Sequence, residues 1–241
     1  MISDFNQQFI KSHAHAEFPK ECCGLILSND IVKCENVAAN KEKQFIIDSS
    51  IVQKYKNEIV AAYHSHPNEP NFSQSDIYIS EKLNISYVLY DCKSEKFNEY
   101  TPRGTTIPYE GRPFLNGVFD CIELVREFYR EKLNISITGQ PDHPYRYFFH
   151  KWITEESKKQ HGGTPCVQKF LLDNGFIEVE KPRQYDILTM TSSLIPAPIN
   201  LAIYLKNNTI LHYHRNMSRI DIYSNYFKKF TDKVFRHATM L

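Results

Sequence analysis

A run of turn-forming residues in the middle of the chain constrains its fold most strongly. Residues 101–117 read TPRGTTIPYEGRPFLNG, and proline and glycine recur throughout this stretch. The segments on either side each carry helix and strand patterns of their own, and 241 residues are enough for two hydrophobic cores. We therefore predict two domains, residues 1–102 and 118–241, joined by a linker at 103–117.

The composition narrows the class of protein. Hydrophobic residues make up 41% and charged residues 24% of the chain, which is typical of folded globular proteins. Because 29 Lys and Arg balance 28 Asp and Glu, we expect no nucleic acid or anionic membrane as the main partner. No apolar run is typical of a transmembrane segment or a signal peptide, so we expect a cytosolic chain whose six cysteines are reduced thiols.

Hydrophobic patterning predicts that the first domain is a β-sheet with flanking helices. Apolar residues between Ile2 and Ile10 recur at helical spacing, and Pro19 must end that helix. Ser75 and Asp76 are typical of a second helix start. Four runs predict strands, the last two of them in a hairpin: CGLILS, IVAAYHSH, ISYVLYDC and EKFNEYT.

Two histidines at the end of one predicted strand suggest a metal site. His64 and His66 flank Ser65, and the strand period of two points both imidazoles to one face. By itself this pattern also fits two hydrogen-bonded histidines on a half-buried strand. Asp76 can supply an oxygen ligand, and three protein ligands leave zinc a fourth position for a water molecule whose pKa it lowers. Glu21 is the candidate for the carboxylate that takes the proton of that water.

The set formed by Glu21, the HSHP sequence and the SQSD sequence resembles the JAMM, or MPN, metalloproteases over about the first 100 residues. This resemblance implies that His64, His66 and Asp76 bind Zn²⁺. It also implies that Glu21 activates water and that Ser73 helps to hold the developing oxyanion. The first domain is thereby expected to be a peptide hydrolase.

The second domain is predicted to have helices followed by an antiparallel sheet, an α+β arrangement. Apolar residues at helical spacing predict a helix over 120–133 with Asp120 at its start. The runs RYFFHKWITEESKKQ and PCVQKFLLDNG predict two more helices, the second closed by Gly175. QYDILTM, INLAIYLK and TILHYHR predict strands, with Asn207 and Asn208 in the turn between the last two.

Cys121 is the candidate nucleophile of this domain. It occupies the first turn of the predicted helix, where free backbone N–H groups and the helix dipole favour a thiolate. His212 and His214 on a predicted strand could supply a general base. On helical periodicity alone, Cys121 would instead be a small core residue.

The segment GRPFLNGVFDCIELVREFY resembles the nucleophile helix of the NlpC-type papain-like endopeptidases, in particular their phage-tail branch. The similarity covers residues 111–241 and places Asn200 at the position of the family's basic histidine and His212 at its third polar position. An amide cannot take a thiol proton, so either the peptidase is degenerate or a neighbouring imidazole replaces the base. A three-residue turn at 206–208 would put Asn200, His212 and His214 on one face; a two-residue turn would not.

A JAMM-like domain followed by an NlpC-type domain resembles a family of tail assembly proteins of long-tailed phages. The resemblance implies a tail tip component whose partners are other tail tip proteins and whose substrates are peptides, including those of peptidoglycan. It places the protein in the host cytoplasm during assembly, then in the virion tail tip, and during infection in the periplasm. The alternative is a non-catalytic structural tail tip protein that keeps both clefts for binding.

Overall fold

The chain forms two compact units, Met1–Ile107 and Pro108–Leu241. The structure, a computed structural model, describes residues 2–139, 166–191, 198 and 200–241. The predicted helix RYFFHKWITEESKKQ lies outside these residues. Within them, every helix is too short or too polar to cross a lipid bilayer.

The first unit is a mixed five-stranded sheet with three helices. Its strands run in the order β2-β1-β3-β4-β5, and only β3 and β4 are parallel. Because parallel neighbours need a crossover, the chain between β3 and β4 passes through a helix, α3. The elements in chain order are α1 (Asp4–Glu17), β1 (Cys23–Leu27), β2 (Ile31–Cys34), α2 (Ser49–Tyr55), β3 (Ile59–His66), α3 (Gln74–Leu83), β4 (Ser86–Asp91) and β5 (Lys96–Tyr100).

Helix α3 begins two residues before the start that the sequence suggested. Ser73, not Ser75, is the N-cap: its hydroxyl accepts a hydrogen bond from the backbone N–H of Asp76, and the Asp76 carboxylate accepts one from the backbone N–H of Ser73. This reciprocal capping box satisfies two backbone donors that the helix cannot satisfy itself. Asp76 is thereby fixed in the first turn of α3.

The two faces of this sheet carry separate cores. The α1 face buries Tyr63, whose ring passes so close to Gly24 that a Cβ there would lie 2.4 Å from ring atoms. His13 of α1 belongs to this face as well: it is buried and its Nδ1 lies 3.0 Å from the Tyr63 hydroxyl. On a helix the i, i+2 spacing of His13 and His15 points them apart and predicts that both are surface residues. For His13 this prediction is wrong, because α1 turns His13 onto the sheet. His64 follows Tyr63 and points to the opposite face.

The second unit has a six-stranded antiparallel sheet in the order β10-β9-β8-β7-β11-β6. The predicted helix over 120–133 is confirmed as α4, with the Asp120 carboxylate accepting hydrogen bonds from the N–H groups of Ile122 and Glu123. The elements are α4 (Cys121–Leu133), α5 (Cys166–Asp173), β6 (Phe176–Val179), β7 (Ile187–Met190), β8 (Asn200–Tyr204), β9 (Thr209–His214), β10 (Met217–Ile222), α6 (Asn225–Phe230) and β11 (Thr231–His237).

The segment 103–117 is hydrogen-bonded to the first unit at its start and to the second unit further on. Backbone N–H groups of Arg103, Gly104 and Thr105 donate to the Glu81 carboxylate in the first unit. Further on, the backbone of 111–114 pairs with the outer edge of β10 in the second unit, where Gly111 N donates to Ser218 O. The boundary between the two units at 107/108 therefore falls between two anchored stretches.

The turn between β8 and β9 uses three residues, 206–208, of which Asn207 and Asn208 have positive φ. Ala202 pairs with His212 across the two strands. Alternation along each strand then puts Asn200, His212 and His214 on one face of the sheet. Of the two turn lengths that the sequence left open, the structure has the longer one.

Candidate metal centre

The end of β3 and the first turn of α3 bring three potential metal ligands together. One ligand atom from each of His64, His66 and Asp76 lies within 4.8 Å of the others. The Asp76 Oδ2 atom is 3.6 Å from the Nε2 atom of each histidine. A metal that bridges these three side chains would have two nitrogen ligands and one oxygen ligand, the donor set of many catalytic zinc sites.

The burial of His64 fits the role of a metal ligand. His64 is completely buried, and neither of its ring nitrogens has a hydrogen-bond partner among the described residues. A buried polar atom without a partner costs about 1–3 kcal/mol. Binding of a metal would satisfy one of these nitrogens, so the residues present fit a divalent ion such as Zn²⁺.

Asp76 is held as an ionised ligand. Its Oδ2 accepts hydrogen bonds of 2.7 Å from both the backbone N–H and the hydroxyl of Ser73. Burial raises the pKa of the Asp76 carboxyl, but the neighbouring His64 and the Ser73 hydrogen bonds outweigh it and lower that pKa to about 2. Burial and the proximity of His64 lower the pKa of His66, which favours the neutral imidazole that metals bind.

Glu21 reaches the same site from the short segment before β1. Its Oε1 lies 3.9 Å from His66 Nε2, and the side chain is buried. Burial, reinforced by the negative charge of Asp76, raises the pKa of Glu21 to about 8. A carboxyl group with such a pKa can both take up and release a proton near neutral pH.

Sequence reasoning missed the aromatic wall around His64. The ring of Phe45 stacks on the imidazole with 4.4 Å between centroids and 21° between planes. Phe72 and Tyr87 approach the same imidazole, each with a centroid separation of 5.8 Å. With these three rings around it, His64 is completely buried. The only sequence signal for Phe45 is its place in an apolar run beyond the β2 hairpin, which does not point to a site.

The sequence predicts Cys121 and His212 as a nucleophile and its base in the second unit. Cys121 is buried directly after the helix cap Asp120. Burial raises the pKa of the Tyr213 hydroxyl, and negative charge on Asp120 or Cys121 raises it further. Tyr213 lies on β9 next to His212, so alternation directs the two side chains to opposite faces of the sheet.

His212 contacts groups on its own face. Its Nε2 is 3.0 Å from Asp221 Oδ2, and its ring meets Phe227 of α6 edge to face at 4.9 Å. Burial lowers the pKa of His212 despite the nearby carboxylate. This geometry gives no support to His212 as the base for Cys121, and that assignment stays a prediction.

Asn200 uses its amide to join two strands. Its Nδ2 donates to Tyr213 O at 3.2 Å, and its Oδ1 accepts from Leu201 N at 2.9 Å. At the position where the family resemblance requires a base, the chain therefore has a side chain bound to the sheet backbone.

Comparison with known proteins finds relatives of the first unit and of the chain as a whole. Residues 6–102 match the family described as prokaryotic homologs of the JAB domain. The tail tip assembly protein K of Escherichia phage N15 is 27% identical over 237 residues, which are 95% of this chain and 92% of that protein. A solution structure of a protein from Desulfitobacterium hafniense has 18% identity, covers 40% of this chain and 78% of its own, and superposes with a TM-score of 0.34. The chain is therefore similar to tail tip assembly protein K over nearly its whole length, and its first unit is similar to the JAB domain.

Proposed function

We propose that the first unit is a zinc-dependent peptide hydrolase within a phage tail tip assembly protein. The observation that carries this proposal is the convergence of His64, His66 and Asp76, with the buried carboxyl of Glu21 beside them. A metal-free structural role leaves the buried nitrogens of His64 unexplained. The matched JAB family and the tail tip relative support the same assignment.

His64, His66 and Asp76 would hold the metal. When bound, Zn²⁺ supplies Lewis acidity, which makes water more acidic and a peptide carbonyl more electrophilic. Glu21 would take the proton of the attacking water and pass it to the departing amide nitrogen. Its pKa of about 8 in the metal-free chain suits the second of these transfers at neutral pH.

In this proposal Ser73 orients Asp76, whereas the family resemblance implied that it holds an oxyanion. Its hydroxyl proton is directed at Asp76 Oδ2, and its oxygen accepts the N–H of Asp76. A hydroxyl has only one proton to donate, so in this arrangement Ser73 aligns the metal ligand. Help to an oxyanion would require the hydroxyl to turn away from Asp76.

Glu21→Gln tests the proposal directly. The amide is isosteric with the carboxyl but cannot take up a proton, so the variant should bind one equivalent of zinc and lose peptide hydrolysis by about 10² to 10⁴-fold. Zinc content is measured on the purified chain, and hydrolysis on peptides from tail proteins and from peptidoglycan. Hydrolysis at the wild-type rate would exclude Glu21 as the base.

For the tail, we propose that the chain acts with other tail tip proteins in the host cytoplasm and stays in the virion tail tip, reaching the periplasm during infection. The similarity to a tail tip assembly protein over 95% of the chain supports this role. A double variant, Glu21→Gln with Cys121→Ala, separates assembly from enzymatic action. Tails that assemble normally but fail at the cell wall support an enzyme; fully infectious tails support the structural alternative, in which both clefts only bind.

For the second unit, a binding role is favoured over robust peptidase activity. The NlpC-type resemblance requires a base where Asn200 instead bonds to the backbone of β9. A digest of purified peptidoglycan by wild type, Cys121→Ala and Asn200→His decides between the two. Cleavage only by Asn200→His would identify the missing base as the defect, whereas cleavage by wild type that Cys121→Ala abolishes would show that another group serves the thiol.

A further inference from the structure

Contacts outside the β-sheet fix the position of Glu21. Glu21 precedes β1, so ladder hydrogen bonds do not fix it. Its N–H donates to Lys41 O at 2.7 Å, and its carbonyl accepts from Asn36 Nδ2 at 3.0 Å. Both partners belong to the segment 35–48 between β2 and α2, which contains neither helix nor strand. The place of Glu21 therefore depends on how that segment is held.

Asn36 holds the segment through all four hydrogen-bonding positions of its carboxamide. Besides Glu21 O, its Nδ2 donates to Gln44 O at 2.9 Å. Its Oδ1 accepts from Ala38 N at 3.0 Å and from Ile46 N at 3.2 Å. The side chain is buried, and every bond goes to backbone. A buried carboxamide that is fully paired with backbone groups fixes their relative positions closely.

Two of these bonds lie on either side of Phe45. Gln44 O and Ile46 N belong to the residues that flank it, and the Phe45 ring stacks on His64. The Asn36 side chain is thus hydrogen-bonded both to the backbone of Glu21 and to the backbone on either side of Phe45.

We propose that Asn36 is the positioning residue of the metal centre, which sets the Glu21 carboxyl and the His64 imidazole relative to each other. This inference rests on the proposed function for the identity of the two groups. All four hydrogen bonds of Asn36 go to backbone groups, so it acts through the backbone of Glu21 and through Phe45.

Asn36→Asp is the sharpest test, because it keeps both acceptor bonds, removes both donors and places carboxylate oxygen against two carbonyl groups. Loss of a group that orients metal ligands without binding the metal typically lowers metal affinity or activity by 10 to 100-fold. We expect Zn²⁺ affinity, measured by chelator competition, to fall about 10-fold or more and the visible spectrum of the Co²⁺-loaded chain to change. If peptide turnover is measured, kcat should fall by about 10 to 100-fold with KM nearly constant.

Asn29→Asp is the matched control. Asn29 is exposed in the turn after β1, at the opposite end of that strand from Glu21. The same chemical change there should leave affinity, spectrum and kcat as in wild type. Wild-type affinity and an unchanged Co²⁺ spectrum in Asn36→Asp would overturn the inference, because they would show that the ligand geometry does not depend on Asn36.

Phe45→Leu keeps the test decisive if Asn36→Asp fails to fold. It leaves the four Asn36 bonds in place and removes the ring on His64, so metal affinity should fall and the Co²⁺ spectrum should change. Retention of both wild-type properties would overturn the inference. Neither readout requires turnover, so failure of the proposed hydrolysis would be seen separately, as equal hydrolysis by wild type and Glu21→Gln.

Discussion

At the scale of single residues, burial and close neighbours set the protonation of two carboxyl groups in the first unit. The neighbouring His64 and the hydrogen bonds from Ser73 lower the pKa of Asp76 to about 2, while burial and the charge of Asp76 raise the pKa of Glu21 to about 8. Two neighbouring carboxyl groups therefore have pKa values far apart, which suits the proposed roles of metal ligand for Asp76 and proton carrier for Glu21. Their environments, not their residue types, separate the two.

His13 gives a pH-dependent prediction away from the metal centre. Burial, with a smaller effect of Lys33, lowers the pKa of His13 in the folded chain below the usual 6.5. As pH falls below about 6.5, the unfolded chain takes up this proton first, so stability contributed by neutral His13 is full above that pH and is lost as pH falls through the folded pKa. The loss amounts to at most about 1.4 kcal/mol per pH unit.

The measurement is urea unfolding of wild type and His13→Gln between pH 8 and pH 5. Glutamine can keep a hydrogen bond to the Tyr63 hydroxyl but does not titrate. The difference in free energy of unfolding between the two chains should be constant from pH 8 to 7 and shift in favour of His13→Gln below pH 6.5. A difference that is constant down to pH 5 would refute the role of His13.

At the scale of elements, we expect the cap of α3 to couple helix stability to the proposed metal binding. Ser73→Ala should lower the free energy of unfolding by about 1 kcal/mol through the lost cap and lower Zn²⁺ affinity by about 10 to 100-fold through the freed Asp76. Ser3 caps α1 in the same way, accepting from Asn6 N. Ser3→Ala should therefore have a similar cost in stability without a change in affinity, and equal affinity losses in the two variants would contradict the coupling.

In the second unit, a buried ion pair fastens β11 to the chain that enters β7. Arg236 donates from Nε and Nη2 to the two carboxylate oxygens of Asp186, at 2.9 and 2.7 Å. Removal of one partner leaves a buried charge, so Arg236→Met should destabilise the unit by about 3–5 kcal/mol. Arg236→Met with Asp186→Leu should recover part of that loss in chemical unfolding. A double variant as unstable as the sum of the two single variants would show that the ions do not interact.

At the scale of the whole molecule, metal should act on one unit. The three proposed ligands all belong to Met1–Ile107. Zinc at 100 times its dissociation constant stabilises the state that binds it by about 2.7 kcal/mol. Hydrogen exchange of the full chain should therefore slow in residues 2–107 on addition of zinc and stay constant in 108–241, and His64→Ala should abolish the response. Equal protection of both units would contradict a site confined to the first.

The sequence alone predicted which three side chains of the first unit come together, because HxH on a strand and an Asp at a helix start are local patterns whose geometry follows from strand and helix periods. His64, His66 and Asp76 could thus be named before any fold was known, as could α4 with its cap Asp120. Only the tertiary structure revealed Asn36 and Phe45, since their roles depend on contacts with chain segments distant in sequence. The face of His212 likewise depended on tertiary structure, because strand parity across β8 and β9 is set by the length of their turn, and nothing local to the histidine encodes it.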